Sequence, residues 1–136
     1  MLQLDSCLEI AKSAALLAGK YLKDQQNKDL EILLNEGRDI KLQIDVDTEN
    51  IIKEYISLHS PFPILAEESG LSEELGKFYW VVDPLDGTSN FLRKIPISCV
   101  SVALMSDIEP ILGVIFDFNN NDLYFAHHQS LPYENL

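Results

Sequence analysis

The sequence is short of cysteine, of positive charge and of long apolar runs, and each shortage removes a class of protein. Two cysteines, Cys7 and Cys99, among 136 residues build no disulfide framework, and neither has a second Cys or His at metal-ligand spacing. Two reduced, mostly buried thiols in a cytoplasmic protein are the expectation. Only 10 Lys and Arg stand against 22 Asp and Glu, a formal charge of -12. Such a chain is a poor partner for nucleic-acid phosphates or for anionic membrane surfaces, and suits cations instead. The apolar stretch Leu8 to Leu22 is interrupted by Glu9, Lys12 and Lys20, so it reads as neither a signal-peptide core nor a membrane span. What the chain does have is 46% hydrophobic residues, above the disordered range, at a length that suits one domain over residues 1–136.

Leu4, Leu8, Ala11, Ala15, Ala18 and Leu22 recur at spacings of four and three and predict a helix to about Lys23, with Ser6 and Glu9 as a capping box. Asp24 to Asp29 reads as a connector. Leu30 to Leu34 reads as a strand closed by a turn at Asn35-Glu36-Gly37, and Arg38 to Ile44 as a second extended segment. Ile44, Ile51, Ile52, Tyr55 and Ile56 fit a helix of about three turns, stopped near His59 by Pro61 and Pro63. Ile64 to Ala66 is a short buried strand, and Glu67 to Lys77 a polar loop. The second half reads as a meander: Phe78 to Val82, Cys99 to Met105, Ile111 to Phe116 and Leu123 to Ala126, with turns at Ser106 to Pro110 and at Asn119 to Asn121. The tail from His127 holds no clear element. There are no internal repeats. Helices followed by a meander predict an α+β fold, with helices packed on a mostly antiparallel sheet.

The informative stretch is Trp80-Val-Val-Asp-Pro-Leu-Asp-Gly-Thr-Ser-Asn-Phe91. An apolar strand delivers Asp83, Pro84 bends the chain, Asp86 follows, and Gly87-Thr88 opens a helix. Two carboxylates this close repel unless a cation lies between them, and oxygen ligands favour a hard ion such as Mg²⁺. The N–H groups of Gly87, Thr88 and Ser89 at a helix start suit a phosphate. An Asx-turn leading into a helix cap is the plain alternative. A haloacid-dehalogenase type of phosphatase is excluded, because it needs Asp-x-Asp-Gly-Thr and the gap here is three. Two further acidic elements are Ala66-Glu67-Glu68-Ser69, just after a buried strand, and Asp39 to Asp45, which leads into the helix carrying Glu49. Each alone reads as a solvated face or a helix cap. Asp117 to Asp122 lacks the Gly and Glu of a calcium loop and reads as a hairpin turn.

Taken in order, these elements resemble the inositol monophosphatase family of Mg²⁺-dependent, lithium-sensitive phosphatases. The signature Asp-Pro-Ile/Leu-Asp-Gly-Thr-x-Asn-Phe is present at Asp83 to Phe91 without departure, and Ala66-Glu67-Glu68-Ser69 is similar to the family's Gly-Glu-Glu-Ser. Its Asp-x-Val-Thr-x-Ala-Asp element is looser: Asp39 and Asp45 fit, but Lys41 and Leu42 replace Val-Thr. The resemblance implies a layered αβαβα fold. It assigns Glu67, Asp83, the Leu85 carbonyl and Asp86 to metal binding. Asp45 and Thr88, with Glu67, would activate the attacking water, and Gly87, Thr88, Ser89 and Asp86 would hold the small phosphorylated substrate. Glu68 would act from behind or be solvated. Asn90-Phe91 is more like the inositol-phosphate branch than the nucleotidase branch that cleaves 3′-phosphoadenosine phosphates. The family's later Trp-Asp element has no counterpart, since Trp80 is the one tryptophan. The resemblance therefore implies an N-terminal portion, an incomplete site, and an apolar surface open to a missing C-terminal half or to a second copy in a homodimer. A non-catalytic, metal-binding remnant is the reading from another class.

Overall fold

The computed structural model describes residues 3–36, 39–67, 69–71, 74, 76–128 and 133–135. Helix α1 (Leu4–Gln25) leads into a hairpin of β1 (Ile32–Glu36) and β2 (Asp39–Leu42), which runs directly into α2 (Gln43–His59). Strands β3 (Ile64–Ala66), β4 (Gly70–Leu71) and β5 (Phe78–Asp86) follow, then the single-turn helix α3 (Thr88–Leu92). The meander comprises β6 (Cys99–Ser106), β7 (Glu109–Asp117), β8 (Asp122–His127) and β9 (Tyr133–Asn135). Seven strands form one sheet in the order β4-β3-β5-β6-β7-β8-β9. Among the described residues the β3–β5 pair alone is parallel, and the other pairs in that sheet are antiparallel. The α+β expectation, helices on a mostly antiparallel sheet, holds.

The two long helices cover one face of this sheet. Helix α1 presents Ala11, Ala14, Ala15 and Ala18, all fully buried, and so approaches its neighbours closely. Gly19 continues that stripe, and a Cβ there would lie 2.3 Å from the Phe116 ring. From the sheet come Trp80, Val82, Val100, Val102, Leu104 and Val114, each at 2% exposure or less. Trp80 is buried completely, yet its indole N–H donates to Ser60 Oγ at 2.9 Å, so the ring carries no unmet donor into the core. The α2 helix supplies Ile52 and Ile56 to the same layer.

The other face of the sheet is different. Side chains alternate along a strand, so Val81, Ala103 and Ala126, with the bare Gly113 between the latter two, face away from the helices. They lie in one cross-strand row with Leu65, through the pairs Leu65–Val81, Val81–Ala103, Ala103–Gly113 and Gly113–Ala126. The next row is Asp83, Ser101, Ile115 and Tyr124. Leu65, Ile115 and Tyr124 are exposed, and nothing lies within 4 Å of a Cβ built on Gly113. No described helix packs on this face.

Several local expectations change. Ser6 and Glu9 lie inside α1 rather than at its start; the cap is Gln3, with no side-chain hydrogen bond. The β1 strand starts at Ile32 and carries Asn35 and Glu36 in its ladder rather than in a turn; Gly37 and Arg38 lie outside the described residues. The α2 helix is 17 residues long, about five turns rather than three, and runs from Gln43 directly after β2. Strand β5 does not end at Asp83: a bulge between Asp83 and Asp86 absorbs Pro84, which has no N–H to donate, and pairing resumes at Asp86–Cys99. The tail does hold an element, β9, which pairs with β8.

Candidate active site

The site lies where β5 ends and β6 begins. Parallel pairing of Ala66 with Val82 brings the carboxyl ends of β3 and β5 level, and the Glu67 N–H donates to the Val82 carbonyl at 3.3 Å. Glu67 therefore emerges beside Asp83. The carboxyl ends of parallel strands are the usual place for a ligand in a mixed sheet. Asp83 is half-buried, and its Oδ1 is fully buried with no hydrogen-bond partner among the described residues. Such an atom costs on the order of 1–3 kcal/mol unless something completes it. Asp86 is exposed at the far end of the bulge.

Asp45 comes from the first turn of α2 and is 2% exposed. Its Oδ2 accepts the Leu42 N–H at 2.8 Å, which caps the helix, and its Oδ1 accepts the Thr88 hydroxyl at 3.1 Å. Thr88 Oγ1 also lies 3.2 Å from the Leu85 carbonyl, a second acceptor for the same proton. The structure thus brings Asp45, Thr88 and Leu85 together across 43 residues of sequence. Gly87 precedes α3 with φ 95°, a conformation few side chains tolerate, and a Cβ there would lie 2.8 Å from the Ile97 carbonyl. The chain at Ile97 and Ser98 is fixed in turn: Asn119 Nδ2 donates to Ser98 Oγ at 3.1 Å, and the Asn90 amide donates to the Ile97 carbonyl at 2.8 Å. Ser89 is engaged within α3, where Arg93 donates to its hydroxyl and carbonyl.

Beside Asp86 a cleft of about 450 Å³ opens between α3 and the bare face of the sheet. Gly87, Asn90, Cys99, Asp117 and Tyr124 line it with Asp86. Burial raises the Cys99 thiol pKa, and the carboxylates of Asp86, Asp83 and Asp117 raise it further, from its ordinary 9.0 to about 11. The cleft is thus a strongly negative place, suited to a cation. Cys99 and Asp117 were not legible as site residues, although the order of the meander could have found them: β6 starts, and β5 and β7 end, at the same edge.

The predicted metal ligands Glu67, Asp83, Leu85 and Asp86 all belong to this edge. Among the described residues, however, no three His, Cys, Asp or Glu side chains converge closely enough to hold a metal ion. Hard oxygen donors and the orphaned Asp83 oxygen fit a divalent cation; a closed cage is not preformed. Asp39 lies on β2, Glu68 lies outside the described residues, and Asp117 belongs to a hairpin turn, where its Oδ1 accepts the Asn119 N–H at 3.1 Å.

A helix-backed mixed sheet with an acidic site at the ends of its one parallel pair defines the class of the molecule. Residues 3–130 match the model of the inositol monophosphatase family, and the chain belongs to that family. It is 39% identical over 127 residues to an inositol-1-monophosphatase of Synechocystis, covering 90% of this chain and 44% of that protein. It is 39% identical over 122 residues to the Nus factor SuhB of Xylella fastidiosa, covering 88% of this chain and 44% of that one. The crystal structure of the extragenic suppressor protein suhB from Bartonella henselae superposes with a TM-score of 0.89 at 34% identity, over 95% of this chain and 52% of that chain. The chain spans about half the length of the relatives it matches.

Proposed function

We propose that the chain carries the acids and the phosphate cradle of a Mg²⁺-dependent phosphomonoesterase acting on inositol monophosphate or a similar small phosphate ester. The observation that carries this is the Asp83 oxygen, buried and without a hydrogen-bond partner among the described residues where the β5 bulge begins, together with the Asp45–Thr88 hydrogen bond that leads into α3. Glu67, Asp83, the Leu85 carbonyl and Asp86 would hold the metal. When bound, it neutralises the phosphoester and lowers the pKa of water beside it.

The chain's own residues do the rest. Asp45, kept as an acceptor by the Leu42 N–H, takes the Thr88 hydroxyl proton and leaves the Oγ1 lone pairs to accept from an attacking water. With that proton directed to Asp45, the Leu85 carbonyl, 3.2 Å from Oγ1, keeps its lone pairs for a cation. Gly87, Thr88 and Ser89 begin α3, so their N–H groups have no acceptor within that helix and are free for phosphate oxygens. The two free thiols, Cys7 and Cys99, suit a reducing cytoplasm, and no described helix is long and apolar enough to cross a membrane. The reading extends to a partner. The bare sheet face and the half-length match support covering by the remaining half of the family fold, with a homodimer as the competing outcome.

The test is phosphate release from inositol 1-phosphate and from 3′-phosphoadenosine 5′-phosphate with Mg²⁺, for wild type and Asp83→Asn, alongside calorimetry with Mg²⁺. Release of the inositol ester that is lost in the variant supports the reading; preference for the nucleotide moves the chain to the nucleotidase branch. Calorimetric binding without release supports the metal-binding remnant. Equal release by both forms overturns the metal role of Asp83.

A further inference from the structure

Three polar residues lie one turn apart on α2: Asp45, Glu49 and Lys53. Spacings of four place them on one face of the helix. Asp45 holds Thr88, as described. Glu49 is 1% exposed, an expensive place for a carboxylate, and its Oε2 accepts the Ser69 N–H at 3.1 Å. Lys53 Nζ donates to the hydroxyl of the same Ser69 at 2.8 Å. The partners of this ladder are not scattered. Thr88 follows the Asp83–Asp86 bulge, and Ser69 lies two residues beyond Glu67. One rigid helix therefore grips both acidic segments.

We propose that Glu49, assisted by Lys53, is a positioning residue that fixes Glu67 relative to Asp83. The inference deepens the metal reading given above and rests on it. Glu67 is exposed, and the Val82 carbonyl holds its backbone N–H. Two residues later the Ser69 N–H is held by Glu49. Glu67 and Ser69 are thus each held at the backbone, one by the sheet and the other by the helix. Loss of the helix pin removes one constraint on the segment that carries Glu67 and widens the positions Glu67 can take relative to Asp83. The residues that orient ligands matter to affinity nearly as much as the ligands themselves.

A plain stabilising role for Glu49 would lower the melting temperature and leave the folded site alone. Two readouts separate the roles: exchange of the Ser69 amide proton by NMR, and the affinity for Mn²⁺, an EPR-visible substitute for Mg²⁺. The set is wild type, Glu49→Ala, Glu49→Gln and Lys53→Met. Glu49→Ala should speed Ser69 exchange and weaken Mn²⁺ binding, each by about tenfold. Glu49→Gln keeps an oxygen for the Ser69 N–H and should restore both to within about threefold of wild type. Lys53→Met should give the same pattern at smaller size, about two- to threefold, and covers the case in which Glu49→Ala does not fold. Unchanged exchange and affinity in Glu49→Ala, or in Lys53→Met if that variant alone folds, overturn the proposal. So does Glu49→Gln as weak as Glu49→Ala. A wild-type chain that fails to bind Mn²⁺ sinks the metal reading, and Ser69 exchange then decides the tether alone.

Discussion

The two faces of the large sheet are made by the same strands and are chemically opposite. Along β6, Val100, Val102 and Leu104 are fully buried under the helices, while Ser101, Ala103 and Met105, interleaved with them, remain partly open. The covered face holds the molecule together. The bare face is apolar without being packed, and at its end the candidate site opens. Packing and openness are thus divided between alternate residues of one strand, and substitutions one position apart should have unlike effects.

The largest contrast lies within β6. Val102→Asp puts an unpaired charge beneath the helices and should cost about 4 kcal/mol or more, whereas Ala103→Asp should cost under about 1 kcal/mol in urea denaturation. An equally severe Ala103→Asp would break the comparison and show that the second face is covered in solution. Next come the glycines. Gly19→Ala drives a methyl group into the Phe116 ring and should cost about 1–3 kcal/mol. Gly113→Ala meets open space and should stabilise the strand by about 0.5 kcal/mol. A helix seated over Gly113 would reverse that sign, which thermal melts of the two variants would reveal.

A smaller effect comes from Asp45, whose loss in Asp45→Ala removes a helix cap and the Thr88 contact together. The expected cost is about 1–2 kcal/mol, read as a shift in the urea midpoint. The smallest effect is at the thiols. Burial alone raises Cys7, on the covered side, whereas carboxylates and burial together raise Cys99 to about 11. The unfolded thiol ionises first as pH rises, so Cys99 contributes stability that is whole below pH 9.0 and is lost as pH climbs through about 11. Cys99→Ser should flatten that decline. Asp86→Asn should speed alkylation of Cys99 and leave Cys7 unchanged; equal acceleration of both would show general loosening instead.

Much of this was legible because it is local. The alanine stripe fixes α1, and the alternation of Val100, Val102 and Leu104 fixes which face of β6 is buried. Asp83 and Asp86 advertise themselves by their spacing. The rest depends on partners distant in the chain. Glu49 reads as a surface helix acid until Ser69, 20 residues away, arrives to donate its N–H to the carboxylate. Pro84 looks like a strand terminator, and only the bulge opposite β6 lets pairing resume. The residues of β9 carry no clear pattern because the strand is defined by backbone bonds to β8. Ser6 failed as a cap because α1 begins two residues before it, at Leu4, where no side chain closes the first turn.

Gly87 has a consequence for how such chains drift. Its backbone twist and its fit against the Ile97 carbonyl are demands of folding, so the glycine would persist in a descendant that had lost all turnover. Asp83 is the opposite kind of position. Its inner oxygen takes no hydrogen bond from any described residue, so nothing in the described fold would keep the carboxylate in a lineage that no longer used it to hold a ligand.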